Sequence, residues 1–319
     1  MTLKTGVKFT LNYSDIIGCT LEVSKDAAND RAFLHVYHYP VKNGKYLKDA
    51  LVLILAESSR QANEELGEQL ERRIRAKLRH GEKILNYLIL LNPASGTGQS
   101  ARLFEQFKQL LIEANIKHKL VKTTHRGHAH EIGASFDLTG YDGLITVSGD
   151  GLFHEMINGL LTRDEPIAIR VGLIPAGSGN GLVNSFQSAT KISCCRSYAM
   201  FQMLKYESTP LDLLHFESDK LTRYCMLSCM LGLVADIDHE SDVLRAWGSI
   251  RFDIYAVVNI LRKRKYPLKV ELFDAHEKAL ANDDGKFTDD CLNRGTFAIL
   301  AKPALAKIGK KNQILTNFF

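Results

Sequence analysis

Three apolar runs in this chain each end in a glycine-rich turn, and that recurrence constrains the fold more than any other feature. Ile84 to Asn92 leads into Asn92-Pro93-Ala94-Ser95-Gly96-Thr97-Gly98. Tyr141 to Val147 leads into Ser148-Gly149-Asp150-Gly151, and Ile169 to Ile174 leads into Pro175-Ala176-Gly177-Ser178-Gly179-Asn180-Gly181. Helical patterns alternate with the runs: Ser100 to Ala114, with Phe104, Phe107, Leu110 and Leu111 on one face, then His128 to Ser135, then Gly151 to Leu161. A further strand pattern covers Ile116 to Thr123. This alternation predicts an α/β fold, a parallel sheet with helices on both faces. Such sheets bind ligands at the carboxyl ends of their strands, where all three turns fall. Glycine lets a backbone approach phosphate oxygens closely, and helix N-termini add positive partial charge. With one carboxylate, Asp150, between two glycines, the pattern points to a phosphate or nucleotide site rather than three ordinary connecting turns.

The flanking regions read differently. Val7 to Leu11, Ala32 to Tyr37 and Ala50 to Leu55 have strand character, with a tight turn at Asn43-Gly44. Residues 57–80 carry Leu66, Leu70, Ile74 and Leu78 at four-residue spacing and predict a helix. Beyond residue 188 the expectation is a helix over Ser197 to Lys205 and strands over Leu211 to Phe216 and Arg223 to Ala235. A long helix over Ser241 to Arg264 follows, then strands over Leu268 to Phe273 and Thr296 to Ala301. The expected domains are a β-rich N-terminal extension with a linker helix (1–82), a nucleotide-binding domain (83–188) and a β-rich domain that looks incomplete (189–319).

Composition narrows the class. With 319 residues, 45% of them hydrophobic and 24% charged, the chain suits a soluble protein of about two domains. A net charge of +5 tolerates an anionic partner without calling for nucleic acid, and none is expected. The first residues lack the apolar core of a signal peptide, and no apolar stretch reaches the roughly 18 residues a membrane span needs. The six cysteines follow no disulfide or zinc spacing and read as mostly buried free thiols of a cytoplasmic protein.

Two nucleotide-binding alternatives lose ground on residues. The chain lacks the Gly-x-x-x-x-Gly-Lys-Ser/Thr string of a P-loop ATPase. Gly96-Thr97-Gly98-Gln99-Ser100-Ala101 fits a dinucleotide fingerprint, but the ribose-binding acid expected at the end of the second strand is replaced by Lys122-Thr123-Thr124.

Taken together, Asn92-Pro-x-Ser-Gly, Ser148-Gly-Asp-Gly-Leu-Phe-His-Glu-x-x-Asn-Gly-Leu and Pro175-Ala-Gly-Ser-Gly-Asn resemble the three signatures of the lipid kinases that include diacylglycerol and sphingosine kinases. Ser148 and Leu152 stand where diacylglycerol kinases usually have Gly and Thr, so the resemblance is closer to sphingosine kinases. Gly232-Leu-Val-Ala-Asp-Ile-Asp-His-Glu-Ser, with Arg245 and Gly248-Ser-Ile-Arg-Phe, resembles the sphingosine-kinase segment that contacts lipid headgroup and ATP. The resemblance runs from about residue 84 to 275. Residues 1–80 more weakly resemble a PH-like extension.

The resemblance implies ATP and Mg²⁺ as cofactors, a long-chain base as lipid substrate and peripheral association with membranes. It implies Asp150 as the general base toward the lipid's primary hydroxyl, with a possible share in placing Mg²⁺. Nucleotide contacts would come from Asn92, Pro93, Ala94, Ser95 and Gly96, and from Thr123, Thr124, His125, Arg126 and Gly127. Ser148, Glu155, Gly177, Ser178, Gly179, Arg245 and Arg251 complete that set. Ser148, Gly149, Asp150, Gly151, Ser228 and Asp238 would meet the lipid headgroup, Asp238 pairing with its amino group and Asp236 standing as understudy. Met226, Met230, Ile254, Val257 and Leu261 are among the candidates for the tail pocket, with plain core packing as the alternative. Four cations at Arg262 to Lys265 suit a helix C-terminus and would also attract an anionic membrane, at ~1 kcal/mol per cation near the surface.

Relatives of this kind continue further and carry an Asp-Gly-Glu near the C-terminus, absent here. The sequence therefore reads as C-terminally truncated. Two activities stand open: a sphingosine kinase, with ceramide or diacylglycerol kinase as the other enzymatic reading, and a non-catalytic lipid- or partner-binding relative.

Overall fold

Strand burial explains the sheet order. The computed structural model describes residues 10–26, 30–49, 51–78, 80–93, 95–165, 167–177, 180–188, 190–211, 213–218, 221–248, 250–266 and 296–300. It divides into two compact units at Leu211/Asp212.

The first unit opens with an antiparallel sheet of β1 (Ile16–Val23), β2 (Ala32–His38) and β5 (Leu51–Leu55), in the order β1-β2-β5. Between β2 and β5 lies a small hairpin, β3 (Val41–Lys42) and β4 (Lys45–Tyr46), turning at Asn43-Gly44. Helix α1 (Arg60–Arg75) starts where the Ser59 hydroxyl caps the Ala62 N–H at 3.2 Å. Leu70 and Ile74 of α1 pack against Cys19, Leu34, Val36 and Leu53 of the sheet. Strand β1 differs from expectation: Thr10 and Leu11 are not in a strand, residues 7–9 lie outside the described residues, and Ile16–Val23 takes the first strand position.

The rest of the first unit is a parallel sheet in the order β7-β6-β8-β9. Its strands are β6 (Asn86–Leu91), β7 (Lys117–Lys122), β8 (Gly143–Ser148) and β9 (Arg170–Pro175). All three pairings are parallel. β8 is buried at every position, as a central strand covered on both faces requires, whereas the edge strand β7 alternates partly buried and exposed residues. The helices are α2 (Gln99–Glu113), α3 (His128–Ser135), α4 (Asp150–Leu160), α5 (Gly181–Ser188) and α6 (Cys195–Leu204).

The N-terminal sheet is fastened to this sheet's flanking helix. Gly18 leaves no room for a side chain, since a Cβ there would lie 2.3 Å from the Glu113 carbonyl oxygen. The Glu113 carboxylate, 3% exposed, accepts hydrogen bonds from the Tyr39 hydroxyl and the Lys48 ammonium. The expected boundary at 188/189 falls inside this unit, because α6 packs on β9.

The second unit contains a hairpin of β10 (Leu214–Ser218) and β11 (Leu221–Cys225) and an antiparallel pair of β12 (Ser228–Gly232) with β13 (Thr296–Leu300). Two expectations need correction here. Leu233 to Ala235 continue not as strand but as the start of α7 (Leu233–Glu240), because Gly232 turns the chain at φ 74°. The long helix is broken: a 3₁₀ segment (Ser241–Trp247) ends at Gly248, φ 65°, before α8 (Ile250–Arg262). The expected strand over Leu268 to Phe273 lies outside the described residues. Of the four cysteines whose side chains are described, only Cys19 is buried; Cys194 is exposed, which corrects the reading of mostly buried thiols.

Candidate active site

The three glycine turns meet at the carboxyl edge of the parallel sheet because β6, β8 and β9 are adjacent and co-directed. Asp150 is the first residue of α4, one residue beyond its Gly149 cap. Its Oδ2 accepts the Gly181 N–H at 2.7 Å, so the carboxylate caps the N-terminus of α5 from a different turn. Its Oδ1 is buried and has no hydrogen-bond partner among the described residues. Burial pushes the Asp150 carboxyl above the usual carboxylate range, and the N–H groups of Gly181 and Leu182 offset part of that. A buried, under-satisfied carboxylate with a raised pKa is suited to taking a proton.

The turn after β6 is tied internally. Ser95 N donates to the Asn92 carbonyl at 3.1 Å, and the Ser100 hydroxyl donates to the same carbonyl at 2.7 Å. Pro93 is exposed, and the backbone of Gly96 lies in the 3₁₀ turn Ser95–Gly98. Ala94 lies outside the described residues, as do Ser178 and Gly179 of the third turn. Gly177 is present, its carbonyl accepting from the Asn180 amide at 2.8 Å. Ser148 is fully buried, with its hydroxyl donating to the Gly149 carbonyl, so its side chain is not presented at the surface of the turn.

The loop after β7 is the part that sequence reasoning described least. Thr123 is buried and its N–H donates to Leu91 O at 2.9 Å, whereas Thr124, His125 and Arg126 are exposed. Gly127 caps α3 at φ 88°, a conformation open to glycine. Its N–H donates to Glu155 Oε2 at 3.1 Å. Glu155 is thus a half-buried acid that ties the loop to the helix of Asp150. The Thr124 N–H donates to His128 Nδ1 at 3.2 Å, which fixes that nitrogen as an acceptor. His125 stacks on His128 with centroids 4.8 Å apart and reaches Glu131 through Nε2 at 3.0 Å. The string His125-Arg-Gly-His-Ala-His-Glu131 carried the signal for this cluster, as ionisable residues spaced across a helix start.

The second unit holds the remaining candidates. Arg251 is buried, pairs with Asp242 and lies over the Phe252 ring at 4.4 Å, so it is not an exposed helix arginine. Arg245 falls in the 3₁₀ segment and Ser228 in β12; their side chains lie outside the described residues. Asp238 is exposed on α7. Asp236 is engaged by Arg264 at 2.7 Å and by the Tyr266 hydroxyl. Glu240 takes Arg262 and Arg264, so two of the four clustered cations are already paired. Met230, Val257 and Leu261 are 42%, 59% and 74% exposed and do not form core.

No group of three His, Cys, Asp or Glu side chains among the described residues is placed to hold a metal ion. Mg²⁺ does not require one, since it commonly binds through one or two carboxylates, water and substrate phosphates. Asp150, whose Oδ1 has no hydrogen-bond partner among the described residues, is a carboxylate at the glycine turns that fits such a site.

Residues 86–216 match the diacylglycerol kinase catalytic domain. Sphingosine kinase 1 of Arabidopsis thaliana is 37% identical over 183 residues, covering 56% of this chain and 38% of that protein. Human sphingosine kinase 1 is 36% identical over 190 residues, 56% of this chain and 49% of its own length. Sphingoid long chain base kinase 5 of Saccharomyces cerevisiae is 31% identical over 220 residues, 65% of this chain and 30% of its own. The chain thus spans less than half the length of these curated relatives. The matched region holds all three glycine turns and the loop after β7, so the part of the chain that carries the candidate site is similar to the diacylglycerol kinase catalytic domain and to the sphingosine kinases.

Proposed function

We propose that the protein is a lipid kinase that transfers the γ-phosphate of ATP to the primary hydroxyl of sphingosine or a related long-chain base, giving sphingosine 1-phosphate. The observation that carries this reading is Asp150: a carboxylate at the edge shared by three glycine turns, with one oxygen committed to the α5 N-terminus and the other buried with no hydrogen-bond partner among the described residues. Phosphoryl transfer asks a protein chiefly for alignment, charge neutralisation and a base. Asp150 Oδ1 takes the proton of the lipid hydroxyl as its oxygen bonds to phosphorus and ADP departs. Its bond to Gly181 holds the carboxylate in place during that step. Backbone N–H groups of the turns and the N-termini of α2 and α4 line the phosphates, the α5 N-terminus being taken by Asp150. Asn92 to Gly96 and Thr123 to Gly127 border the nucleotide, with Glu155 ordering the second of these. Mg²⁺, when bound, neutralises charge on the phosphates.

Asp238, exposed on α7, selects an aminated headgroup over a neutral one. Peripheral attachment to membranes is supported by the exposed Trp247, Ile250, Val257, Ile260 and Leu261 of the second unit. No described helix is long and apolar enough to cross a membrane.

The test is product analysis with ATP, Mg²⁺ and, separately, sphingosine, ceramide and diacylglycerol. Transfer to sphingosine alone, lost preferentially for sphingosine in Asp238→Ala, is expected. Transfer to diacylglycerol or ceramide in preference would replace the substrate assignment, and transfer to none would favour a lipid-binding relative.

A further inference from the structure

Arg196, the second residue of α6, has no place in the signatures discussed so far, yet its guanidinium joins two of the three glycine turns. Nε donates to the carbonyl of Pro175, the last residue of β9 and the first of the third turn, at 3.2 Å. Nη2 donates to Oε1 of Gln99, the residue that follows the first turn and begins α2, at 3.2 Å. The guanidinium fork is planar and rigid, so two acceptors held by one arginine are held at a fixed separation. The helix that carries it is anchored on both sides by the N-terminal hairpin. Before Arg196, Ser193 donates through its N–H (2.8 Å) and hydroxyl (3.0 Å) to the Gly44 carbonyl at the hairpin tip. After it, Phe201 stacks on Tyr46 of β4 at 3.8 Å and meets Tyr39 at 5.1 Å. The third turn in turn leads to Gly181, whose N–H holds Asp150.

We propose that Arg196 is a positioning residue for nucleotide binding, which sets the separation of the first and third glycine turns and is itself held in place by the N-terminal hairpin. The inference rests on the reading of these turns as the phosphate-binding edge. It also gives the N-terminal extension a function in the site rather than a role as a detachable module.

The experiment measures ATP binding in Mg²⁺ by calorimetry, on the full chain, for the wild type, Arg196→Gln, Arg196→Lys, Gln99→Ala and the Arg196→Gln/Gln99→Ala double variant. Arg196→Gln is expected to raise Kd roughly tenfold, about the effect of losing one charged hydrogen bond. Arg196→Lys should recover little of this, because one ammonium cannot span both acceptors. Gln99→Ala should have a smaller effect, and the double variant should bind no worse than Arg196→Gln alone. That last result distinguishes a clamp from general loosening, in which the two effects would add. Full rescue by lysine, wild-type binding in Arg196→Gln, or additive effects would each overturn the proposal. A wild-type chain that binds no ATP would instead overturn the kinase reading on which it rests.

Discussion

Gly159→Ala tests whether the helix of Asp150 is set by backbone contact. Helices α3 and α4 meet through Gly133 and Gly159. A Cβ on Gly159 would lie 2.1 Å from the His130 carbonyl oxygen and 3.0 Å from the Ala134 nitrogen, and one on Gly133 would lie 2.5 Å from the Met156 carbonyl oxygen. Ordinary van der Waals contact begins at 3.4 Å, so the backbones must part by more than an ångström. The obstacle is backbone and cannot rotate away, which puts the overpacking cost near the top of its usual range, ~3 kcal/mol. Removing a glycine from a helix interior returns ~1 kcal/mol. The net loss of ~2 kcal/mol corresponds to a fall in Tm of roughly 4–8 °C for a unit of this size. The same displacement stretches the bond from Gly127 N to Glu155, so nucleotide affinity falls as well. Thermal unfolding followed by circular dichroism measures the first effect. Gly151→Ala, in the same helix but with nothing within 4 Å of its Cβ, is the control and should not lower Tm. An unchanged or higher Tm for Gly159→Ala would refute the reasoning.

Other substitutions probe the remaining joints. Asp150→Asn should abolish phosphate transfer yet raise Tm at neutral pH. Burial raises the folded-state pKa of Asp150, so protonation favours the fold, and its contribution is lost as pH rises through that raised value. The gain from asparagine should therefore shrink as pH falls toward ~4, the ordinary aspartate value, and a Tm below wild type at neutral pH would contradict this. Glu113→Ala removes the acceptor from the buried Tyr39 hydroxyl and should cost ~1–3 kcal/mol in denaturant unfolding; no loss would show that the sheet–helix junction is held otherwise. Glu155→Gln keeps an acceptor for Gly127 N, whereas Glu155→Ala leaves none, so ATP affinity measured by calorimetry should fall further in the alanine variant.

Much of the parallel sheet was legible because its central strands are continuous apolar runs bounded by glycine, and α3 spans His128–Ser135 as its pattern predicts. What escaped was set by partners distant in sequence. Strand β1 reads poorly because Gly18 interrupts its apolar pattern, and that glycine is required by the close approach of Glu113 from another element. Helix α5 is only eight residues long, and its N-terminus is capped by Asp150, 31 positions away. The break after Trp247 follows from the left-handed conformation of Gly248, a residue that an amphipathic pattern passes over. Within the site, the motifs located Asp150 and the turns. The pairings of Glu155 with the Gly127 N–H and of Arg196 with the Pro175 carbonyl and Gln99 have no signature, because each joins groups whose proximity exists only in the fold; the same holds for Asp242 with Arg251 in the second unit.

The most direct measurement of the central claim is transfer of labelled γ-phosphate from ATP to sphingosine in Mg²⁺ by the full chain, with Asp150→Asn run in parallel. The account predicts labelled sphingosine 1-phosphate from the wild type and none above background from a variant that still folds and binds ATP. Equal transfer by the two proteins would show that Asp150 is not the base, and no transfer by a folded wild type that binds ATP would contradict the assignment of this chain as a lipid kinase.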